Sequence, residues 1–169
     1  MKTYESLAKE DLREMLIANW MTHDAMWLMN TAQQHGMETT NAINKNSVKM
    51  MSRIEAKRIK KLLGVENPKT FDELKEFIQT GFKIIRGNFM SFEFEFLPPA
   101  TILWKVPQCF AYDGVKRIGL IEQYDCGIVD RLLGWFDELG VSYQRSPAFN
   151  GCLKHANGKC EMRFEVKFP

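Results

Sequence analysis

Phe92-Glu93-Phe94-Glu95-Phe96-Leu97-Pro98-Pro99-Ala100-Thr101-Ile102-Leu103-Trp104-Lys105-Val106 is the stretch in which the pattern of this chain changes. Phenylalanine at alternate positions, with glutamate between, describes a strand with one apolar and one wet face. Pro98-Pro99 breaks the ladder and makes a turn, so Thr101 to Val106 return as a second strand. Pro107 interrupts pairing and leaves Cys109 just past a strand end. The same alternation is clearest at the C-terminus. There Cys160, Met162, Phe164, Val166 and Phe168 point one way, and Glu161, Arg163, Glu165 and Lys167 the other. Asn157-Gly158 just before that strand reads as a hairpin-type turn, and Val141 to Gln144 read as a further strand. A short helical stretch covers Ala111 to Ile118. A stronger amphipathic helix, with Asp125 as its cap, aligns Ile128, Leu132, Trp135, Phe136 and Leu139 and ends at Gly140.

Upstream of Asn88 the period is helical. Ser6 to about Leu63 read as two long helices, with Ser6 capping the first and Gly36 ending it after His35. Thr39 or Thr40 caps the second, and Gly64 closes it. Asn67-Pro68 breaks the chain, and Thr70-Phe71-Asp72-Glu73 is a capping box. Phe71, Leu74, Ile78, Phe82 and Ile85 keep helical spacing after it, so a third helix runs through Gly81 toward Gly87. The expectation is an α+β fold in one domain, residues 1–169, with a helical half (1–87) and a mixed, cysteine-bearing half (88–169). Long N-terminal helices would pack on a small antiparallel sheet, with a further C-terminal helix.

The chain of 169 residues, 45% hydrophobic and 12% aromatic, can bury a sizeable core. Charge is nearly balanced at +2, so it predicts no particular partner. Lys45, Lys49, Arg53, Lys57, Arg58, Lys60 and Lys61 crowd one helix, a run that reads as a solvated face. No zinc knuckle, aromatic-rich RNA-binding signature or glycine-rich phosphate loop accompanies it, so no nucleic-acid partner is expected. The charged start MKTYESLAKEDLREM is unlike a secretory signal. No stretch approaches the roughly 18 apolar residues of a membrane span. A cytoplasmic protein is expected, in which Cys109, Cys126, Cys152 and Cys160 are thiols, ligands or nucleophiles rather than disulfides.

Two polar residues interrupt apolar helical stripes. Glu55 falls within Val48, Met51, Ile59 and Leu62, and His23 within Leu12, Leu16, Met26 and Trp27. Inward-facing groups of this kind need partners. Glu55 pairs either with His23 or, in a salt bridge, with Arg117 or Arg131. Trp20 and Trp27, with Met21, Met26 and Met29, either line a ligand cavity or fill core, and Asp24 sits at the rim of the stripe beside His23. Cys126, at the start of the helix capped by Asp125, has the best position for a thiolate, and Gly127 beside it lets a ligand approach the backbone. The cysteine spacing, C-x16-C-x25-C-x7-C, contains no short metal knuckle. A zinc or iron site would draw on Cys109, Cys126, Cys160 and His23, with Glu55 as a further donor. Cys152, in a segment without an assigned element, ranks last.

The run Asn19-Trp20-Met21-Thr22-His23-Asp24-Ala25-Met26-Trp27, followed by Ile54-Glu55-Ala56-Lys57-Arg58, resembles an uncharacterised bacterial and archaeal cytosolic family. So do Cys109, Gly119, Tyr124-Asp125-Cys126-Gly127, Gly134-Trp135-Phe136 and the segment from Gly151 to Cys160. Over residues 89–168 the chain is also similar, more distantly, to the L-2-amino-thiazoline-4-carboxylic acid hydrolase family and to the 4-vinyl reductase domain, which binds small molecules. The hydrolase likeness implies water addition to a cyclic amidine-like ring, with Cys126 as nucleophile, His23 as base and Glu55 orienting it. The vinyl-reductase likeness implies only a pocket.

The leading expectation is therefore a cytoplasmic small-molecule-binding protein with a thiol-rich site open to zinc or iron. Its ligand contacts would include Trp20, Asp24, Trp27, Tyr124 and Gly127. One alternative is a cysteine- or metal-dependent hydrolase of a small cyclic C–N or C–S compound. The other is a structural or interaction protein with a buried Glu55–His23 pair. Met-rich helical stripes also suit a homodimer.

Overall fold

A computed structural model describes residues 3–169. The fold class is α+β, as the change of period predicts. The elements in chain order are α1 (Lys9–Leu63), α2 (Phe71–Ile85), β1 (Glu93–Leu97), β2 (Thr101–Lys105), α3 (Phe110–Arg117), α4 (Ile128–Leu139), β3 (Ser142–Ser146), α5 (Leu153–Asn157) and β4 (Glu161–Lys167). The four strands form one antiparallel sheet in the order β1-β2-β4-β3. Phe94 faces Trp104 across the first pair, and Trp104 faces Met162 across the next. In β4 the alternation is realised in full: Met162, Phe164 and Val166 are buried, and the charged residues between them are exposed.

Helices α2 and α4 cover the inner face of the sheet. Phe82 of α2 stands edge-on to Phe94 at 4.7 Å between ring centroids, and Phe136 of α4 packs on Phe164 at 5.6 Å. The second half of α1 lies mainly on α4 and reaches the sheet through it, rather than packing on the sheet directly as expected. Gly134 permits that approach, since a Cβ there would stand 2.7 Å from the Lys49 carbonyl oxygen and collide with Ser52.

Gly36, at φ 77° and ψ 166°, breaks α1 into two helical stretches, as its position after His35 suggests. Several end signals differ from expectation. Ser6 belongs to a 3₁₀ turn, and α1 begins at Lys9 without a side-chain cap. The Thr40 hydroxyl donates to the Gly36 carbonyl and so bridges the break instead of capping a new helix. Gly127, not Asp125, occupies the cap position of α4, without a side-chain bond. Asn157-Gly158 ends α5 with Gly158 in the left-handed region, so it is not a hairpin. The capping box is present. Thr70 accepts from the Glu73 N–H, and Glu73 accepts from the Lys69 N–H, one residue earlier than the usual partner.

The first stretch of α1 turns a different face inward than its stripe implied. Leu16 is 63% exposed, Trp27 61% and Met26 46%, and His23 lies on the same exposed side. Ile17 and Thr31 are the buried positions there. Below them Leu28 and Ala32 pack on a second cluster of Met37, Val115, Ile121, Tyr124 and Cys152.

Candidate functional site: an apolar cavity beside four thiols

Glu55 is buried, as its place in the stripe requires, but its partner is not His23. Its Oε1 accepts from Arg131 Nη2 at 2.6 Å, and its Oε2 accepts from Arg131 Nε and from Trp135 Nε1, each at 2.9 Å. This two-pronged arrangement fixes the guanidinium in one plane. The plane lies over Trp20, with the guanidinium carbon 5.2 Å from the ring centroid. Arg131 thus joins α1 and α4 twice, once through a carboxylate and once through an aromatic face. The Glu55–His23 pair is overturned by these bonds, and the salt bridge to Arg131 stands in its place.

Arg131 and Trp20 line a cavity of about 510 Å³ between both stretches of α1, α3 and the start of α4. Its walls are mainly apolar, with Met21, Met29, Met51, Phe92 and Phe110 among them. Asp24, Tyr124 and Gly127, three of the expected ligand residues, line it as well, while Trp27 does not. Asp24 is exposed on one side, yet its carboxyl is pushed above the usual carboxylate range by burial at the cavity wall, with Arg131 and His23 pulling the other way. Among the described residues the Asp24 side chain has no hydrogen bond or ion pair, since Arg131 is committed to Glu55. Gly127 keeps the wall thin: a Cβ there would stand 3.1 Å from the Asn44 side chain.

The thiols gather on the far side of the α4 N-terminus. Cys109, Cys126, Cys152 and Cys160 all line one small cavity of about 20 Å³, roughly the space of one water molecule or ion. Cys152, ranked last from sequence, belongs there with the others. Ile128 lines both cavities, and Tyr124, on the wall of the larger one, packs in one cluster with Cys126 and Cys152. Backbone bonds hold the thiol-bearing loops together: Cys126 N–H donates to Gly151, and Val106 N–H donates to Cys160.

Burial pushes the Cys126 thiol far up, against the pull of the Ile128 N–H and with Cys109 and Cys152 adding to the rise. Cys160 is pushed up to about 11, first by burial and then by Cys109 and Cys152. Cys109 is raised by burial too, although its sulfur accepts from the Tyr112 N–H at 3.4 Å. The expectation of a Cys126 thiolate at a helix start is therefore corrected. Cys126 precedes the helix by two positions, and desolvation outweighs the nearby N–H groups. His23 lines neither cavity. Among the described residues, no three His, Cys, Asp or Glu side chains stand as a metal-holding group.

Two parts of this site escaped the sequence reading. The α3 wall, with Phe110 and Val115, carries no chemical signal and is found only through folding. Cys152 sits before a five-residue helix too short to show a period. Among the described residues no helix is long and apolar enough to cross a membrane.

No curated protein and no solved structure matches the chain, so nothing links it to the aminothiazoline hydrolases or the 4-vinyl reductase domain. One family does match, over residues 5–132, a span that holds Asp24, Glu55, Cys109, Cys126 and Arg131 and stops short of Cys152 and Cys160. With about three quarters of its length matched, the chain belongs to DUF6125, a family of unknown function.

Proposed function

We propose that the chain is a cytoplasmic small-molecule-binding protein whose ligand occupies the cavity between Trp20, Asp24 and Arg131. The observation that carries this reading is the cavity itself. Its volume of about 510 Å³ is lined by apolar and aromatic side chains around a few convergent polar groups, the usual make-up of a ligand pocket. The Glu55–Arg131–Trp135 bonds hold its floor in one arrangement, which reduces what binding must order. Met-rich walls let the pocket adapt to ring-shaped molecules. A thermal-shift screen of small ring compounds tests it. Hits should raise the Tm of the native chain and lose their effect in Ala25→Trp and Ala111→Trp, which fill the cavity. Hits that survive both fillings would place the ligand elsewhere.

A second reading concerns the thiols. Cys109, Cys126, Cys152 and Cys160 would be the ligands of a zinc or iron ion, and what favours this is their convergence on a cavity of about one-ion size. An ion with four thiolates has no open position, so it would supply cross-linking rather than Lewis-acid chemistry. The hydrolase reading needs a Cys126 thiolate with His23 beside it. Burial favours the protonated thiol, and His23 stands on the exposed side of α1, so the geometry favours binding over hydrolysis.

A further inference from the structure

The first stretch of α1 turns an apolar face to solvent. Leu16, Trp20, His23 and Trp27 follow at spacings of four, three and four residues, so they form one stripe, and all four are exposed. From Met15 to His35 the chain carries Asp24 and no Glu, Lys or Arg. A helix face rich in Trp and Met and poor in charge has the composition of an interface core rather than of solvated surface. The outward face of the second stretch differs. There Ile43, Met50 and Ile54 stand among Arg53, Lys57 and Lys61, which would repel the same face of another copy.

The protein also has more surface than its mass requires. Its accessible area is 10345 Å², whereas a compact monomer of 19.7 kDa exposes about 8,600 Å². The surplus of about 1,700 Å² is about twice the roughly 800 Å² that each partner gives to a standard interface. Between Met15 and Gln34 only Ile17 and Thr31 are buried, so that stretch is where cover is missing.

We propose that a second copy of this chain covers the face, with the two first stretches of α1 antiparallel about a twofold axis. A spacing of four, three and four reads the same in both directions. The twofold therefore sets Leu16 against the partner's Trp27 and Trp20 against the partner's His23, and repeats both contacts. Two Trp from each copy supply the large anchors on which such interfaces rest. Trp20 and Met26 also line the large cavity, so the second copy closes that side of it. The dimer does not depend on what the cavity binds.

Sedimentation equilibrium of the full chain, from micromolar to submillimolar concentration, tests this. The native chain should be dimeric, at twice 19.7 kDa. Leu16→Glu and Trp27→Lys change exposed residues outside the cavity lining. Each should weaken the dimer about thirtyfold or more, the effect of losing a central anchor, with unchanged circular dichroism. Mixed together they should recover it, because the new carboxylate of one copy then meets the new ammonium of the other. Met50→Lys, on the other outward face, should remain dimeric. A native chain that stays monomeric, or a dimer that survives both Leu16→Glu and Trp27→Lys, overturns the proposal. So does a dimer lost in Met50→Lys. Two single variants that stay monomeric when mixed overturn the antiparallel pairing.

Discussion

Glu55 and Asp24 are carboxylates on the same helix with opposite fates. Glu55 has three hydrogen bonds in the interior and serves as a structural anchor for Arg131 and Trp135. Removing one side of such a pair leaves a buried charge uncompensated, at a cost of about 3–5 kcal/mol. Glu55→Ala is expected to lose stability on that scale in urea unfolding. The double change Glu55→Leu with Arg131→Met should lose clearly less, because both charges go together. Equal losses would mean that the pair is not coupled. Asp24 has the converse property. Its carboxyl is raised by burial, so the folded state holds the proton more tightly than the unfolded chain does. That stabilisation is complete below the ordinary carboxylate pKa and is lost as pH rises through the raised value. Arg131 from α4, Arg117 from α3, Tyr124 from the segment before α4 and His23 on α1 are the charged or titratable groups around it. Asp24→Asn should therefore raise the Tm at neutral pH, with a gain that shrinks as pH falls into the carboxylate range. A loss of Tm at neutral pH would show that Asp24 has a stabilising partner.

At the scale of elements, the contact of α1 with α4 is set by small residues as much as by large ones. Gly134 faces Ser52 and the Lys49 carbonyl so closely that even a methyl group has no room. Gly134→Ala should cost at least the 1–3 kcal/mol, or about that, typical of overpacking. Ser52→Gly in the same chain should restore only part, because the Lys49 contact is with backbone. Full stability of Gly134→Ala in chemical unfolding would contradict this packing. The sequence foretold much at this scale. The period-2 runs of β1 and β4, the face of α4, the capping box of α2 and the helix ends at Gly64 and Gly140 all follow from local chemistry. The first stretch of α1 did not, because apolar residues occur all round it. Leu16 and Ile17 are adjacent and equally apolar, yet one is exposed and the other buried. The end of α2 and the segment after it select the face there: Arg13 donates to the Lys83, Ile84 and Arg86 carbonyls, Glu14 accepts from the Asn88 N–H, and Ile17 lies against Gly87. The inward Glu55 was legible, since one charge in a stripe is conspicuous. Its partner was one of two possibilities until α4 was in place.

Over the whole molecule, the thiols occupy positions that no local pattern reveals. Cys109 precedes α3, Cys126 precedes α4 by two residues, Cys152 precedes α5 and Cys160 precedes β4. Each lies where the chain passes from a loop into an element, and tertiary structure brings all four to one small cavity. An ion bound there would tie four elements that are distant in sequence and would add the most to stability where the loops are longest. Unbound, the cluster is four free thiols, and desolvation disfavours the thiolate at Cys109, Cys126 and Cys160. The two states differ in measurable ways. With an ion bound, elemental analysis of the reduced protein should find one zinc or iron per chain. A strong chelator should lower the Tm by several degrees, and Cys152→Ser should abolish both the metal and the chelator effect. The Asp24 cavity lies across Ile128 from the thiols, so the Asp24→Asn chain should retain its metal. A protein without metal, whose Tm is indifferent to chelator and whose Cys126 is alkylated only on unfolding, would leave the cluster as core.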